Sequence, residues 1–581
     1  MKRFKTSLLF LVVLSAFAII LTGCGGGGDG GGGPTQTISG VAAAGLPIVG
    51  YVYLKDSATH TLGPNSIASD GSFSFDVTGL TAPFYLRAQG SVAGTSYDLY
   101  SATTSSGTAN INPLTNLAVA AAAGVSDPAS VYNNPAQNPI TQANLDQAVT
   151  DIQNMLAPLL AASAYNANIN PITGAYTADH TGLDAVFDVV KVNINTTDGS
   201  VTVVNNVTDT TIASGTTTTL SNAEPVTQDE VPSDQIVTDL QAIQTMFSQL
   251  TTAMNKGASL TVADLDPFYA TNYGINDGFD RTQTINDEVS DFQGWTKTIT
   301  SANITITAMG ADYKVGGVAY LSDGSFGFWE GGVIVTNEGG SWKLKGNGYK
   351  SEIEYDMAET HRWIKADGTV QTESGFDVDI EDNGNYGLQS AKITGPGLPQ
   401  GGITLSKPAN EPVRLWLDTQ YRNNTIPTHS WNLYVMGDTT IGSIPDNSTY
   451  TIEIYDANGG LIETRTVKIP KRPFMRSELT DGHFPTFGGI TSHSISAANI
   501  GGALTFTYAK PTAFLTAWLW ANLNFWDYSG NSAWYDTDLL LNQSSGSIIS
   551  GIPSWTPLRG HFELEAGDEF RREVSIIWMF Q

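Results

Sequence analysis

The rhythm of hydrophobic and polar positions changes several times along the chain. Residues 8–21 are an apolar run broken only by Ser15 and small alanines, preceded by Lys2, Arg3 and Lys5. That run is shorter than the ~20 residues that span a bilayer comfortably, and it fits the core of a cleavable secretion signal. Residues 25–33 are glycine apart from Asp29, a composition that behaves as a flexible tether. From Thr37 the spacing becomes that of short strands, at 38–41, 49–54, 72–77 and 84–88, with Asp70-Gly71 supplying a tight turn. This predicts a small β-sandwich over 35–112.

Helical spacing follows. Asn112-Pro113-Leu114-Thr115 opens a helix that ends near Gly124. After Thr141, Leu145, Ala148, Val149, Ile152, Met155, Leu156, Leu159 and Leu160 recur on one face, with Pro158 expected to kink the last turn. A short helix at 183–190 precedes a Thr- and Val-rich stretch turning at Asp198-Gly199, so 113–222 reads as a helical connector plus a hairpin. The acidic, Pro-containing stretch 223–232 reads as a linker. Ile236, Val237, Leu240, Ile243, Met246, Phe247, Leu250 and Met254 then form one apolar helix face, between caps at Ser233 and Gly257. A shorter helix starts at Thr261, with Asp264 three residues on. Strands are expected at 302–308, 313–321, 325–336 and 342–353. From about Thr369 the pattern is all β, and eight of the twelve tryptophans lie beyond residue 410.

Three stretches resemble known families. Leu21-Thr22-Gly23-Cys24 resembles the bacterial lipoprotein lipobox. The resemblance implies cleavage after residue 23 and a lipidated Cys24, with 24–34 as lipidated residue and tether. An ordinary signal peptide with an incidental cysteine is the alternative. Gly25, where an Asp would imply retention in the inner membrane, implies the outer-membrane class. Two or three acyl chains anchor stably where one does not. The order SGVAAAGLPIVGYVYLKD…SIASDGSFSFDVTGL resembles carboxypeptidase regulatory-like, transthyretin-like modules, which carry no catalytic residues. A long helix, a short aromatic-bearing helix and a run of antiparallel strands, ending in GGSWKLKGNGYKSEIEY, resembles the NTF2-like cone over 233–368. The strands of 369–581 resemble one or two immunoglobulin or fibronectin type III sandwiches. The expected fold class is multidomain, mainly β with α+β: β-sandwich modules, a helical connector and an NTF2-like cone-shaped domain.

Charge narrows the partners. The chain carries −28, and removing Lys2, Arg3 and Lys5 with the signal leaves 25 basic against 56 acidic residues, or −31. Such a surface repels phosphate backbones, so nucleic acid is a poor partner, and it holds the body off anionic lipid. One lipidated cysteine leaves no disulfide within the mature chain, so stability must come from apolar cores.

The candidate chemistry is sparse. In a cone-shaped middle domain, Tyr269, Tyr273, Trp295, Trp329, His361 and Trp363 can line a ligand pocket, with Asp356 or Glu359 as a base; the same residues also read as core and solvated acids. Asp379, Glu381 and Asn383, with Gly384, follow the spacing of a Ca2+ loop, but Ser390 stands where that loop needs a bidentate Glu, and a plain β-turn fits too. Trp518, Trp520, Trp526, Phe525 and Tyr528 are dense enough for a sugar-stacking platform, or for packing between sheets. No Gly-x-Ser-x-Gly, His-Glu-x-x-His or phosphate-binding Gly-x-x-x-x-Gly-Lys motif occurs, and no catalytic residue is assigned. The expected function is an outer-membrane-anchored envelope lipoprotein with a binding or structural role. Its partners would be the bilayer through Cys24 and a polysaccharide, envelope protein or cell-surface ligand. The alternative is an envelope enzyme or small-molecule-binding protein that uses the middle-domain pocket.

Overall fold

The computed structural model describes residues 35–162, 169–206, 208–231, 234–353, 357–409, 413–422, 432–490, 502–526, 532–550 and 559–580. Cys24, the glycine tether, Asp356 and Tyr528 lie outside the described residues. Within them the chain is mainly β, with sandwich-like units, a helical connector and an α+β unit. No described helix is long and apolar enough to cross a membrane.

The N-terminal unit pairs two sheets. Ser72–Asp76, Thr37–Val41 and Gly107–Thr108 form one; Thr61–Ser66, Val49–Asp56, Phe84–Val92 and Thr95–Thr103 form the other. Strict alternation along Ser72–Asp76 turns Phe73 and Phe75 inward, against a core that includes Ile38, Val52, Leu54 and Leu86. The sequence pattern names neither Thr61–Ser66 nor Thr95–Thr103. The first is a largely exposed edge carrying Gly63-Pro64, where a missing N–H is tolerated; the second starts with polar residues.

Local rules explain the connector. Asn112 caps Pro113–Ala123 by accepting from the Leu114 and Thr115 N–H groups at 3.0 Å each, and Gly124 closes it at φ 67°. Gln142–Met155 ends where Pro158 forbids its continuation, and Ala157–Ala162 starts anew. Leu183–Val189 leads into a sheet of Val190–Ile194, Ser200–Asn205 and Thr210–Thr216, one strand more than a hairpin.

The stretch 223–232 does not separate the cores on either side of it. Val226 is buried and its N–H donates to the Met155 carbonyl at 2.9 Å. One apolar cluster runs from Tyr85 and Leu117 through Leu240 and Phe247 to Leu344. Its central element is the helix α1, Asp234–Met254, whose apolar face lies on an antiparallel sheet of Ile299–Met309, Asp312–Leu321, Phe326–Glu338 and Ser341–Lys345 in chain order. A further helix, Arg281–Gln293, has only a weak apolar face and is absent from the sequence expectation.

Beyond Lys345 the chain builds three more sheets. One contains, in order, Glu352–Ile353, Ile380–Glu381, Arg414–Leu417, Ile403–Ser406, Ser390–Thr394, Ser448–Tyr455 and Leu461–Ile469 around a core of Ile393, Leu405, Tyr450 and Ile452. The second carries β1 (Ala358–Ile364), β2 (Val370–Asp377), β3 (Leu433–Val435), β4 (Thr516–Trp526), β5 (Ser532–Leu539), β6 (Arg559–Asp568) and β7 (Arg572–Phe580) in the order β3-β2-β1-β7-β6-β4-β5. The third, of Thr486–Gly488, Gly502–Ala509 and Ser545–Ser550, covers one of its faces. Strand β1, expected in the α+β unit, therefore belongs to the C-terminal sheet, where it runs parallel to β7.

Candidate functional site

Strands β1, β4, β6 and β7 alternate so that one face of their sheet is apolar and the other polar. Val574, Ile576, Leu564, Phe562, Leu519, Ala521 and Leu523 share the apolar face, which is buried against Phe506, Tyr508 and Ile548. Arg572 also turns this way and lies over the Phe474 ring at 3.6 Å.

Pairing lays the polar residues in rows. Glu359, Glu573, Gly567 and Trp518 follow one another from β1 through β7 and β6 to β4. The next row is Glu373, His361, Ser575, Glu565, Trp520 and Asp538, and the next is Gln371, Trp363, Ile577, Glu563, Asn522 and Asp536. Met579, His561, Asn524 and Trp534 make a fourth. Five glutamates and two aspartates thus share a face with two imidazoles, while Arg559 and Arg571 stand at its outer ends. None of Glu359, His361, Glu373, Glu563, Glu565 and Glu573 is more than 5% exposed.

The contacts within this face are specific. His361 Nε2 lies 2.7 Å from Glu359 Oε2, and His561 Nε2 lies 3.8 Å from Glu563 Oε2. Asn522 Nδ2 donates to Glu563 Oε2, and Gln371 Nε2 donates to Glu373 Oε1 at 2.8 Å. One carboxylate oxygen from each of Glu359, Glu565 and Glu573 lies within 4.8 Å of the others. Asn522 Oδ1, Asn524 Oδ1 and Ser575 Oγ have no hydrogen-bond partner among the described residues. A Cβ on Gly567 would meet Trp518 Nε1 at 2.3 Å, so only glycine lets that indole lie here. The Trp520 and Trp534 rings stack obliquely, 5.5 Å apart, and Trp526 stands 5.7 Å from His561. Along β5, Asp536 and Asp538 are exposed and Trp534 half-buried, so the face meets solvent at that edge.

Neighbouring units hold the rim. Lys297 and Asp323 form a buried pair at 3.3 Å, Asp323 accepts from the Leu541 N–H, and the Lys297 ammonium reaches the Leu539 carbonyl. At the β6–β7 turn, Ser91 of the N-terminal sandwich donates to the Glu569 carbonyl. Burial, with Asp568 beside it, pushes the Glu569 carboxyl up to about 8.

The residues expected in one middle-domain pocket are separated. Tyr269 and Tyr273 are buried in the connector–α1 core with rings 5.5 Å apart, and Trp295 packs half-buried against that core. Burial raises both phenols, and Glu288 adds to the effect. Trp329 lies in the strand Phe326–Glu338, its side chain outside the described residues. Glu359, His361 and Trp363 are on β1, in a different sheet. Of the expected aromatic platform, Trp518, Trp520 and Trp526 join the polar face, whereas Phe525 turns into the apolar core. In the Asp379–Asn383 loop a guanidinium stands where a cation would: Arg414 meets Asp379 at 2.9 Å and Glu381 at 2.6 Å, while Asn383 donates to Glu352. Glu373, Glu563, Glu565, Glu573, Asn524 and Ser575 escaped the sequence reading. The alternation of Glu563 and Glu565 in HFELEAGDEF and of Glu573 and Ser575 in REVSIIWMF is visible in the sequence, but a polar strand face is ordinarily solvated.

No protein-family model matches the chain, and no curated protein matches it. Among solved structures it is weakly similar to a region of a 1.5-MDa bacterial ice-binding adhesin studied for host cell surface retention, at 12% identity over 47% of this chain and 74% of that one, TM-score 0.14. It is likewise similar to a tetra-tandem repeat from the extending region of a large adhesion protein, at 9% identity over 94% and 98%, TM-score 0.13. A Ca2+-stabilized adhesin that helps an Antarctic bacterium bind ice gives 10% over 94% and 98%, TM-score 0.14. TM-scores this low assign neither fold nor ligand.

Proposed function

We propose that this chain is a cell-envelope lipoprotein, held at the outer membrane by acylated Cys24, that binds a polyhydroxylated ligand such as a glycan on the polar face of its C-terminal sheet. One observation carries the reading: indoles and hydrogen-bonding side chains interleave on a single face that opens at β5. At that edge the half-buried Trp534, with Trp520 5.5 Å behind it, offers a stacking surface, and the exposed Asp536 and Asp538 offer acceptors for hydroxyl groups. The lipobox, the glycine tether and the strongly acidic body support display away from the lipid surface.

The test is titration of the purified protein with a panel of soluble oligosaccharides, followed by tryptophan fluorescence. Saturable quenching that Trp534→Ala removes supports the reading; no response from any glycan sinks it. Protease treatment of intact cells, with Cys24→Ala as control, decides whether the C-terminal region faces outward.

A further inference from the structure

We infer that Glu359, Glu565 and Glu573 form a binding site for a divalent cation of the Ca2+ type, completed by the Ser575 hydroxyl. The three carboxylates arrive from three adjacent strands, β1, β6 and β7, and each presents an oxygen within 4.8 Å of the other two. Three atoms so spaced share a point no more than about 2.8 Å from each, a few tenths of an ångström beyond the ~2.3–2.6 Å of Ca–O bonds. Small rotamer adjustments close that gap.

The independent observation is Ser575. It is fully buried, and its Oγ has no hydrogen-bond partner among the described residues. It lies directly between His361 on β1 and Glu565 on β6, on the same face as the three carboxylates. A buried hydroxyl left without a bond is costly, and a cation held beside Glu565 gives its oxygen a role.

The donor set selects the ion. Carboxylates and a hydroxyl are hard oxygen donors, which favour Ca2+, Mg2+ or Mn2+ over zinc. Glu359, Glu565, Glu573 and Ser575 are all within 4% of full burial. Mg2+ keeps several of its waters, whereas Ca2+ exchanges water for carboxylates readily and accepts irregular geometry, so the site suits Ca2+ better. His361, 2.7 Å from Glu359, would orient that carboxylate from outside, as partners of metal-ligating groups commonly do. The site needs no glycan on the face, and its test uses none.

The experiment takes the full chain in detergent, stripped with EDTA, and adds Tb3+ or Ca2+ alone. Trp518, Trp520 and Trp363 share the face and would sensitise Tb3+ luminescence. The expected result is a luminescence signal that Ca2+ displaces, and a melting transition raised by about 5–10 °C at a hundredfold excess over Kd. The double variant Glu565→Gln/Glu573→Gln should lose at least tenfold in affinity, and Ser575→Ala should weaken binding while keeping every charge. An anomalous-scattering peak between the three carboxylates in Tb3+-soaked crystals of the unaltered protein confirms the site without any variant. A peak at Asp379 and Glu381 instead would overturn it. So would identical melting in EDTA and Ca2+, or a transition that follows pH between 5 and 8 and ignores the metal; that last outcome would mean the carboxylates share protons.

Discussion

In the sheet centred on Ser390–Thr394 and Ser448–Tyr455, buried and half-buried acids and bases meet at once. Arg414 joins Asp379 and Glu381. Asp382 accepts from the N–H groups of Tyr386, Gly387 and Leu388 and from Lys407 at 3.1 Å. Arg465, 1% exposed, stacks 3.7 Å over Tyr349 and reaches Asp277 and the Ser351 carbonyl. The sheet that contains β1 and β7 gathers five buried glutamates on one face with two imidazoles among them. Removing a charge from water costs several kcal/mol unless something compensates it. The first sheet uses its charges to hold the fold. The second gathers most of its buried charge as glutamates on one face, with Arg559 and Arg571 only at the ends of that face.

The sharpest way to break this contrast is Arg465→Met. It leaves the half-buried Asp277 beside Glu463 without its guanidinium, and should cost about 3 kcal/mol in chemical denaturation. Burial already raises the Asp277 carboxyl, so the loss should be smaller at pH 5 than at pH 8. Next, Asp382→Ala strips three backbone N–H groups of their acceptor and should cost about 2–3 kcal/mol. By contrast, Glu563→Gln in metal-free protein relieves like-charge crowding and should leave stability within about 1 kcal/mol of the parent, or higher. A loss as large as that of Arg465→Met would erase the distinction between the sheets.

The connector offers an intermediate case, with two acids around one imidazole. His180 Nδ1 lies 3.0 Å from both oxygens of Asp188, its backbone N–H donates to Asp184, and Tyr176 donates to Asp184 at 3.1 Å. Burial is the largest influence on each group. It raises Asp184 to about 7, with Asp188 adding to the rise; for His180 it acts downward, but Asp188, Asp184 and Asp179 together outweigh it and lift the ring to about 9. Raised folded values stabilise when the proton is bound. The Asp184 contribution is complete below its ordinary carboxylate range and fades as pH climbs through 7. The His180 contribution is complete below about 6.5 and fades through 9. Melting temperature should therefore fall from pH 4 to pH 9, and Asp184→Asn should flatten the stretch between 4 and 7.

How much of this was legible differs by element. Helix α1 could be read from its apolar face, and the Pro113–Ala123 helix from Asn112 and Gly124, because those signals are local. The N-terminal sandwich was legible where alternation was strict and illegible at its polar edge. The candidate site was half visible. Glu359, His361 and Trp363 were singled out in one domain, and Trp518, Trp520 and Trp526 in another. Only the pairing of β1 with β7, across about 200 residues, puts them on one face, and no local pattern encodes a partner at that separation. Glu563, Glu565 and Glu573 were overlooked for the same reason: alternation shows that they share a side of their strands, but not that the side is covered.

That pairing also sets an order in time. β1 emerges during synthesis long before β7, and closing so long a loop is slow even though its entropic cost grows only gradually with length. Until β7 arrives, β1 has β2 on one side and an open edge on the other, the kind of edge that recruits strands from other chains. Charged side chains on a waiting edge discourage such recruitment. On this ground Glu359, His361 and Arg362 would guard the nascent chain against aggregation before Glu359 and His361 take their places on the polar face of the finished sheet. An uncharged β1 should form inclusion bodies first and show any binding defect second.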